Sequence, residues 1–513
     1  MKKEYIVCLA EGIDYDEFWN EMESATIGIP FIPDHSVDIV NNRDLSLRSC
    51  HYALTDDEAK QLRNDPRVVA VAPPAPMDLR ASSLVQSGNF TRVTGGNDAS
   101  WVNWGLRRCI VESLESTIGT QVPYCIDGTG VDIVVQDNGV MTGHPEFEDE
   151  HGQTRLVEHD WYQAAGIAGT MPVGHYGDVG NHGTHVAGVA AGKTYGWAKG
   201  AKIYSIQYNA FATASDAFDL IKAWHLRKPV DPKTGFKRPT IVNQSWGYRW
   251  YYNNGQFGGS RTAIYYRGVD RGTTLSTSWG NAYYAHNFTY SPADVDQQEL
   301  EATGVICVRA AGNYYHKIDT STGLDWNNYY TFNLDWANGI VFSGDPIYYH
   351  RGGSPWTANT ILVADLDNVT YDNNLEQVAA GSEKGPGVYI AAPGTWVTSS
   401  TNSDGFGAQF DNFYPSNDAY KISRISGTSM SAPQVTGILA LFLQLNPGAT
   451  ITDCKKWLAN VASINNQLYS TGSTTDYAVG NSLLGQANRI LYNPYAKDVG
   501  FEQRGNGTEN LKR

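Results

Sequence analysis

Three short stretches carry side chains that together could break an amide bond by acyl transfer. In the first, Val131-Asp132-Ile133-Val134-Val135-Gln136-Asp137-Asn138-Gly139, an apolar strand runs into an acid and a glycine turn. Catalytic groups collect at the carboxyl ends of strands in open α/β sheets, although an Asp-x-Gly after a strand, taken alone, marks only a turn. The second is Asn181-His182-Gly183-Thr184-His185-Val186-Ala187-Gly188, an imidazole at the head of a small-residue helix able to pack close to a sheet. Taken alone it is a satisfied structural histidine, or half of a metal-ligand pair with His185 one turn on. No glutamate stands between the two as in the HExxH motif, and no third ligand is specified, so a metal-dependent hydrolase is the weaker reading. The third is Ser426-Gly427-Thr428-Ser429-Met430-Ser431-Ala432-Pro433, followed by an apolar run to Leu445. Pro433 is expected in the first turn of a helix, where N–H groups have no partner, which puts Ser429 at the helix N-terminus with its hydroxyl exposed and its N–H pointing outward. A serine hydroxyl is a poor nucleophile at neutral pH. It needs a base to take its proton, an acid to orient that base, and donors for the oxyanion.

The elements that must position these groups read as a mostly parallel sheet with helices on its faces. Buried strands are expected at 131–135, 203–206, 241–243, 305–308 and 361–363. Ala217, Ile221 and Trp224 share one face of a helix for which Ser215 is the expected N-cap. Residues 5–77 have a different pattern of strand, helix, strands, helix, strand. There Thr55-Asp56-Asp57-Glu58 forms a capping box, Pro66 stops the helix, and Pro73-Pro74-Ala75-Pro76 ends the last strand. The expected organisation is a small α+β domain over 1–80, an exposed linker with a processing site over 81–100, a catalytic domain over 101–490, and a polar tail over 491–513. Two stretches crowded with Tyr, Trp, Asn and Gly, near 248–290 and 314–354, read as ordered insertions.

Composition narrows the function. With 513 residues, 41% hydrophobic and 18% charged, the chain is a folded protein rather than a disordered one. Its formal charge of −15 argues against nucleic acid as a partner and gives a mild expectation of non-acidic substrates. The apolar run at 438–443 is far short of the roughly 18 residues a membrane span needs. No standard secretory signal is legible, because Glu4 arrives before an apolar core accumulates. Intracellular, phage- or virus-associated and nonclassically exported locations therefore all stay open. Six cysteines are too few for a disulfide scaffold and read as buried thiols.

In the chain order Asp137, His182, Ser429, the three stretches resemble the subtilisin family of serine proteases. Further matches are His144-Pro145-Glu146-Phe147, Ala310-Ala311-Gly312-Asn313, Ala391-Ala392-Pro393-Gly394 and Trp104-Gly105-Leu106-Arg107. The resemblance implies a subtilisin-like three-layer α/β fold with a mostly parallel central sheet, preceded by a ferredoxin-like α+β inhibitory propeptide. It implies a self-processing serine endopeptidase with Asp137, His182 and Ser429 as triad, and with Asn313 and the Ser429 N–H as oxyanion hole. Ser245, Trp246 and Gly247 would form an edge strand for the substrate, and Ala310, Ala311 and Gly312 would line its pocket, with Trp246 narrowing an outer subsite. Its partners would be polypeptide substrates and its own propeptide. No cofactor is needed for the chemistry, though structural calcium is common in the family, with Glu146, Glu148 and Asp149 as candidate carboxylates. The alternative is a virion or surface protein that keeps the fold with little activity. An unperturbed histidine base implies activity rising through about pH 6 to 7.

Overall fold

The computed structural model describes residues 2–10, 12–25, 27–41, 49–72, 82–85, 90–91, 101–112, 117–118, 121–124, 126–208, 214–251, 260–281, 285–287, 289, 291–333, 346–371, 375–473 and 483–496. The chain divides into two compact units, Met1–Arg80 and Ala81–Arg513.

The first unit runs β1 (Lys3–Leu9), α1 (Tyr15–Glu23), β2 (Ile39–Asn41), β3 (Ser49–Leu54), α2 (Asp56–Leu62), β4 (Val68–Ala72). Its antiparallel sheet has the order β2-β3-β1-β4, the ferredoxin-like arrangement of a βαββαβ chain. The capping box forms: Thr55 Oγ1 accepts from the Glu58 N–H at 3.3 Å, and the Thr55 N–H donates to Glu58 Oε2 at 2.6 Å. The helix ends at Leu62, four residues before Pro66. Val7, Phe18, Met22, Leu54 and Leu62 close a core of the unit's own.

The second unit is built on a ten-stranded sheet. From one edge the order is Leu156–Val157, Lys202–Gln207, Asp132–Asp137, Thr240–Gln244, Ile306–Ala310, Ile361–Thr370, Ile390–Pro393, Arg489–Leu491 and Ser463–Asn465, with Glu376–Val378 paired off Ile361–Thr370. Every pairing is parallel except those of Ser463–Asn465 and Glu376–Val378. Side chains alternate between two apolar layers. Ile133, Val135, Ile203 and Val308 pack with Val186, Val189, Ile438 and Leu439 of the helices His182–Ala191 and Thr428–Leu445. Val134, Ile206, Val242 and Cys307 pack on the other face with Trp161, Ala217, Phe218 and Ile221 of Trp161–Ala165 and Ala214–Arg227. These are the three expected layers, continuous apolar runs being what a sheet covered on both faces requires.

Several boundaries differ from the sequence reading. The helix starts at Ala214, so Ser215 lies inside its first turn and is not the cap. The expected linker contains two short strands: Ser82–Val85 pairs with Gln121–Tyr124, and Phe90–Thr91 with Thr117–Ile118. The rest of 81–100, with the expected processing site, lies outside the described residues. The expected tail does not begin at 491. Leu491, Tyr492 and Ala496 are buried, and only 497–513 lie outside the described residues.

The two aromatic insertions, separated in sequence by residues 291–313, fold together. Ser260–Tyr266 of the first pairs with Tyr329–Asn333 of the second, in a four-stranded sheet completed by Val269–Asp270 and Ile347–Tyr348. Tyr265 stacks on Tyr329 and Tyr330 on Tyr349, with ring centroids 4.6 and 4.3 Å apart. Beneath them Asp325 receives Arg267 Nε at 2.7 Å and Lys317 Nζ at 2.8 Å. Residues 252–259 and 334–345 of these insertions lie outside the described residues. Among the described residues no helix is long and apolar enough to cross a membrane. Cys50, Cys109, Cys307 and Cys454 are buried as expected, whereas Cys8 is only half-buried.

Candidate active site

Asp132–Asp137 is flanked by Lys202–Gln207 on one side and Thr240–Gln244 on the other, so the chain leaves it first in one direction and then in the other. Asp137 thus emerges at the carboxyl end of a strand at a topological switch point, where crevices form in such sheets. The residue is 2% exposed, and Oδ1 accepts from His182 Nδ1 at 2.8 Å and from the Asn138 N–H at 2.9 Å. The acceptor fixes the proton on Nδ1 of neutral His182 and leaves Nε2 as the basic nitrogen. Burial alone would lower the imidazole pKa. The Asp137 charge and hydrogen bond, with Asp178 behind them, outweigh it, and the net shift is upward from 6.5. Two glycines allow the loop and helix to approach this closely. A Cβ on Gly183 would lie 1.9 Å from the Gly139 carbonyl oxygen, and Asn138 Oδ1 accepts the Gly183 N–H at 2.9 Å.

Ser429 is the second residue of the helix Thr428–Leu445, so its N–H belongs to the first turn, where no intrahelical acceptor exists. Pro433 falls one turn deeper than the sequence reading placed it. Its missing N–H is the one that would bond the Ser429 carbonyl, and Ser245 Oγ donates to that carbonyl instead at 2.8 Å. In return Ser429 Oγ donates to the Ser245 carbonyl at 3.2 Å. A turn about χ1 would release this hydroxyl toward the imidazole lining the same cleft.

Asn313 follows the strand Ile306–Ala310. Its Oδ1 accepts from both the Thr428 N–H and Thr428 Oγ1, each at 3.0 Å. A backbone N–H can bond only the oxygen, so the amide is fixed with its two Nδ2 hydrogens as the remaining donors beside Ser429. Thr428 is a positioning residue that the sequence reading passed over.

Asp137, His182, Ser429 and Asn313 line one cleft of ≈ 520 Å³ with Ser245, Trp246, Gly247, Ala310 and Gly312. Ser245-Trp246-Gly247 continues from Thr240–Gln244 as irregular chain rather than as a strand of its own, and Thr240–Gln244 is central, not at an edge. Trp246 stacks on Tyr208, with centroids 4.5 Å apart, which holds its ring at the cleft wall. Ala311 does not reach the cleft. Alternation after Ala310 turns its methyl into the apolar cluster of Trp104, Ile318 and Leu362. Arg309 also lines the cleft and was missed, although a charge inside the run Ile-Cys-Val-Arg-Ala was its signal.

The metal reading does not fit the geometry. His185 Nε2 donates to the carbonyls of Val397 and Ser423 at 3.1 and 3.0 Å, and burial pushes its pKa down to about 3. The carboxylates considered for calcium are also committed. Buried Glu146 accepts the N–H groups of Thr194 and Tyr195 and the Tyr414 hydroxyl, Glu148 pairs with Lys193, and Asp149 accepts the N–H groups of His151 and Gln153. Among the described residues no group of three or more His, Cys, Asp or Glu side chains is placed to hold a metal ion.

The sequence profile of the subtilase family matches residues 128–485, and the chain belongs to that family, the subtilisin-like serine endopeptidases. It is 25% identical over 455 residues to an extracellular serine proteinase of Thermus sp. (strain Rt41A), covering 88% of this chain and 76% of that one. Fervidolysin of Fervidobacterium pennivorans is 27% identical over 386 residues, covering 73% of this chain and 42% of the relative. A subtilase-type proteinase of Schizosaccharomyces pombe is 24% identical over 359 residues, and this chain spans 53% of its length. The crystal structure of a cold-adapted subtilisin-like serine proteinase, 21% identical, aligns with 77% of this chain and 99% of its own at a TM-score of 0.45.

Proposed function

We propose that this cleft hydrolyses peptide bonds through an acyl-enzyme formed on Ser429. His182 Nε2 takes the hydroxyl proton and returns it to the leaving amine, while Asp137 orients the ring and stabilises its cation. Asn313 Nδ2 and the Ser429 N–H hold the oxyanion. The observation that carries this reading is the 2.8 Å bond from His182 Nδ1 to a buried Asp137, in the cleft that also holds Ser429 and an amide locked by Thr428. A fluorophosphonate probe should label the protein and fail to label Ser429→Ala. A probe that ignores the native protein sinks the reading and leaves a non-catalytic role on the same fold.

The reading extends to the first unit, with Met1–Arg80 as an inhibitory segment that the chain removes from itself. Its separate core and βαββαβ order support that role. Ser429→Ala should accumulate as full-length precursor, and efficient cleavage of the pure mutant within 81–100 contradicts self-processing.

The base must be neutral to act. Because the pKa of folded His182 is raised, the imidazolium persists above pH 6.5, and kcat/KM should rise along an acid limb centred above that value. A limb at or below 6.5 would show that the pull of Asp137 and Asp178 does not govern this histidine.

A further inference from the structure

Arg309 sits in the strand Ile306–Ala310, directly before the segment that carries Asn313, and is 1% exposed. Its Nη2 donates to the Ser354 carbonyl at 3.3 Å, while Nε and Nη1, both buried, have no hydrogen-bond partner. An arginine so placed is costly, because unmade hydrogen bonds to a buried charge forfeit its solvation. Burial pushes its pKa down only to about 10, so it is a cation at neutral pH.

Two buried carboxyls stand near enough to act on that charge, and neither forms a salt bridge with it within 4.0 Å. Glu383 is 1% exposed and accepts from Asn287 Nδ2 at 2.7 Å, and its other oxygen has no partner. Burial pushes its pKa up to about 8 against the opposing pull of the Asn287 bond and the Arg309 charge, so it is largely protonated at neutral pH. Asp294 accepts the Trp356 N–H at 2.8 Å and is likewise shifted upward by burial. Neither carboxyl therefore fills the Nε and Nη1 donors of the guanidinium.

Those donors belong to a cleft residue. Arg309 lines the cleft with Gly247 and Ala310, and Gly247 has no side chain to cover it: a Cβ there would lie 2.0 Å from Nη2, whose second N–H is left over after the bond to Ser354. Ser245 bonds Ser429 and Ala310 leads to Asn313, so an acyl group held by Ser429 and Asn313 would place the side chain of the residue before the scissile bond against these segments. We propose that this cleft selects polypeptides with Asp or Glu at that position, the acidic side chain being received by the unfilled N–H groups of Arg309. The proposal rests on the serine peptidase reading above and deepens it. Guanidinium donors match a carboxylate in both charge and geometry, and one buried charge at a pocket floor can set the choice of side chain. The chain's net charge of −15 works against an acidic substrate only at long range. That field is screened beyond about 8 Å at physiological ionic strength, whereas a buried contact is not.

The test uses the full chain as it matures, with peptides that differ only in the residue before the scissile bond. Glu should exceed Gln in kcat/KM by about 10- to 100-fold, the range for one hydrogen bond to a charged group. Arg309→Met should erase the difference, and Arg309→Lys should retain part of it. Equal rates for Glu and Gln, or a preference for Leu or Phe, overturn the proposal while fluorophosphonate labelling of Ser429 continues to support the peptidase reading. Calorimetry reads the pocket without chemistry. Short acetylated peptides ending in Glu should bind at least about tenfold more tightly than those ending in Gln. Equal binding overturns the proposal even where labelling and hydrolysis both fail.

Discussion

Replacing His182 by alanine should lower kcat for peptide hydrolysis by about six orders of magnitude, and adding Ser429→Ala should then cost little more. The scale is the one known for subtilisin, a member of the same family. The physical basis is that Ser429 and His182 are one device. Without the base the hydroxyl stays protonated, and its donor remains with the Ser245 carbonyl 3.2 Å away. Without the hydroxyl the base has nothing to activate. Asp137→Asn should cost less, about 10⁴, because it keeps the shape but offers Nδ1 a partner that can impose the wrong tautomer. KM should move little in all three variants, since Gly247, Ala310 and Gly312 are untouched. Residual hydrolysis above the water rate should persist through Asn313 and the Ser429 N–H. The measurement is kcat for the two single variants and the double variant on one peptide. Losses that simply add would show that the two residues act independently, contrary to the shared proton.

The residues that make this device were legible because each lies in a local pattern. Asp137 ends a run of apolar residues long enough to be a buried strand. His182 opens a helix whose glycines and alanines admit a close neighbour, and Ser429 precedes a long apolar helix. What escaped the sequence depends on contacts between distant segments. That Thr428 fixes the Asn313 amide requires residues 115 positions apart to meet. That Pro433 frees a carbonyl for Ser245 requires the helix start to be known to within one residue, and boundaries are the weakest part of any sequence reading. Ala311 was assigned to the cleft with its neighbours, although a period of two turns it to the opposite face.

The insertions show the same limit at the level of fold. Their Tyr and Trp content marked them as ordered, but the pairing of Ser260–Tyr266 with Tyr329–Asn333 leaves no trace in either segment alone. It depends on cross-strand aromatic contacts and on charges from both segments converging on Asp325. Arg309 was visible as an anomaly, a charge inside an apolar strand. Only the unfilled donors and the bare backbone of Gly247 turn that anomaly into a recognition group.

The largest stability effect should come from a pair remote in sequence, Arg108 and Glu376. Arg108 closes the short helix Trp104–Arg108, and Glu376 opens the strand Glu376–Val378, with both side chains at most 1% exposed. Arg108 Nε donates to both carboxylate oxygens at 2.9 Å, Nη2 donates to Glu376 Oε2, and Nη1 donates to the Val111 carbonyl at 3.0 Å. The Glu376 backbone joins a third segment, donating to the Gln467 carbonyl at 2.9 Å and accepting from the Tyr469 N–H at 2.7 Å. Glu376→Ala leaves a guanidinium buried without its counter-charge, and removing one partner of such a pair costs about 3 to 5 kcal/mol. Arg108→Ala should cost a similar amount through the stranded carboxylate. The combined Arg108→Met, Glu376→Leu variant should be far milder than the sum, because two apolar groups of similar volume remove both desolvation penalties at once. Urea unfolding of these variants in the His182→Ala background, where self-digestion is suppressed, reads the difference. If the double variant falls by the sum of the single losses, the pair contributes through attraction that exceeds its desolvation, and these three segments are held by charge rather than by packing.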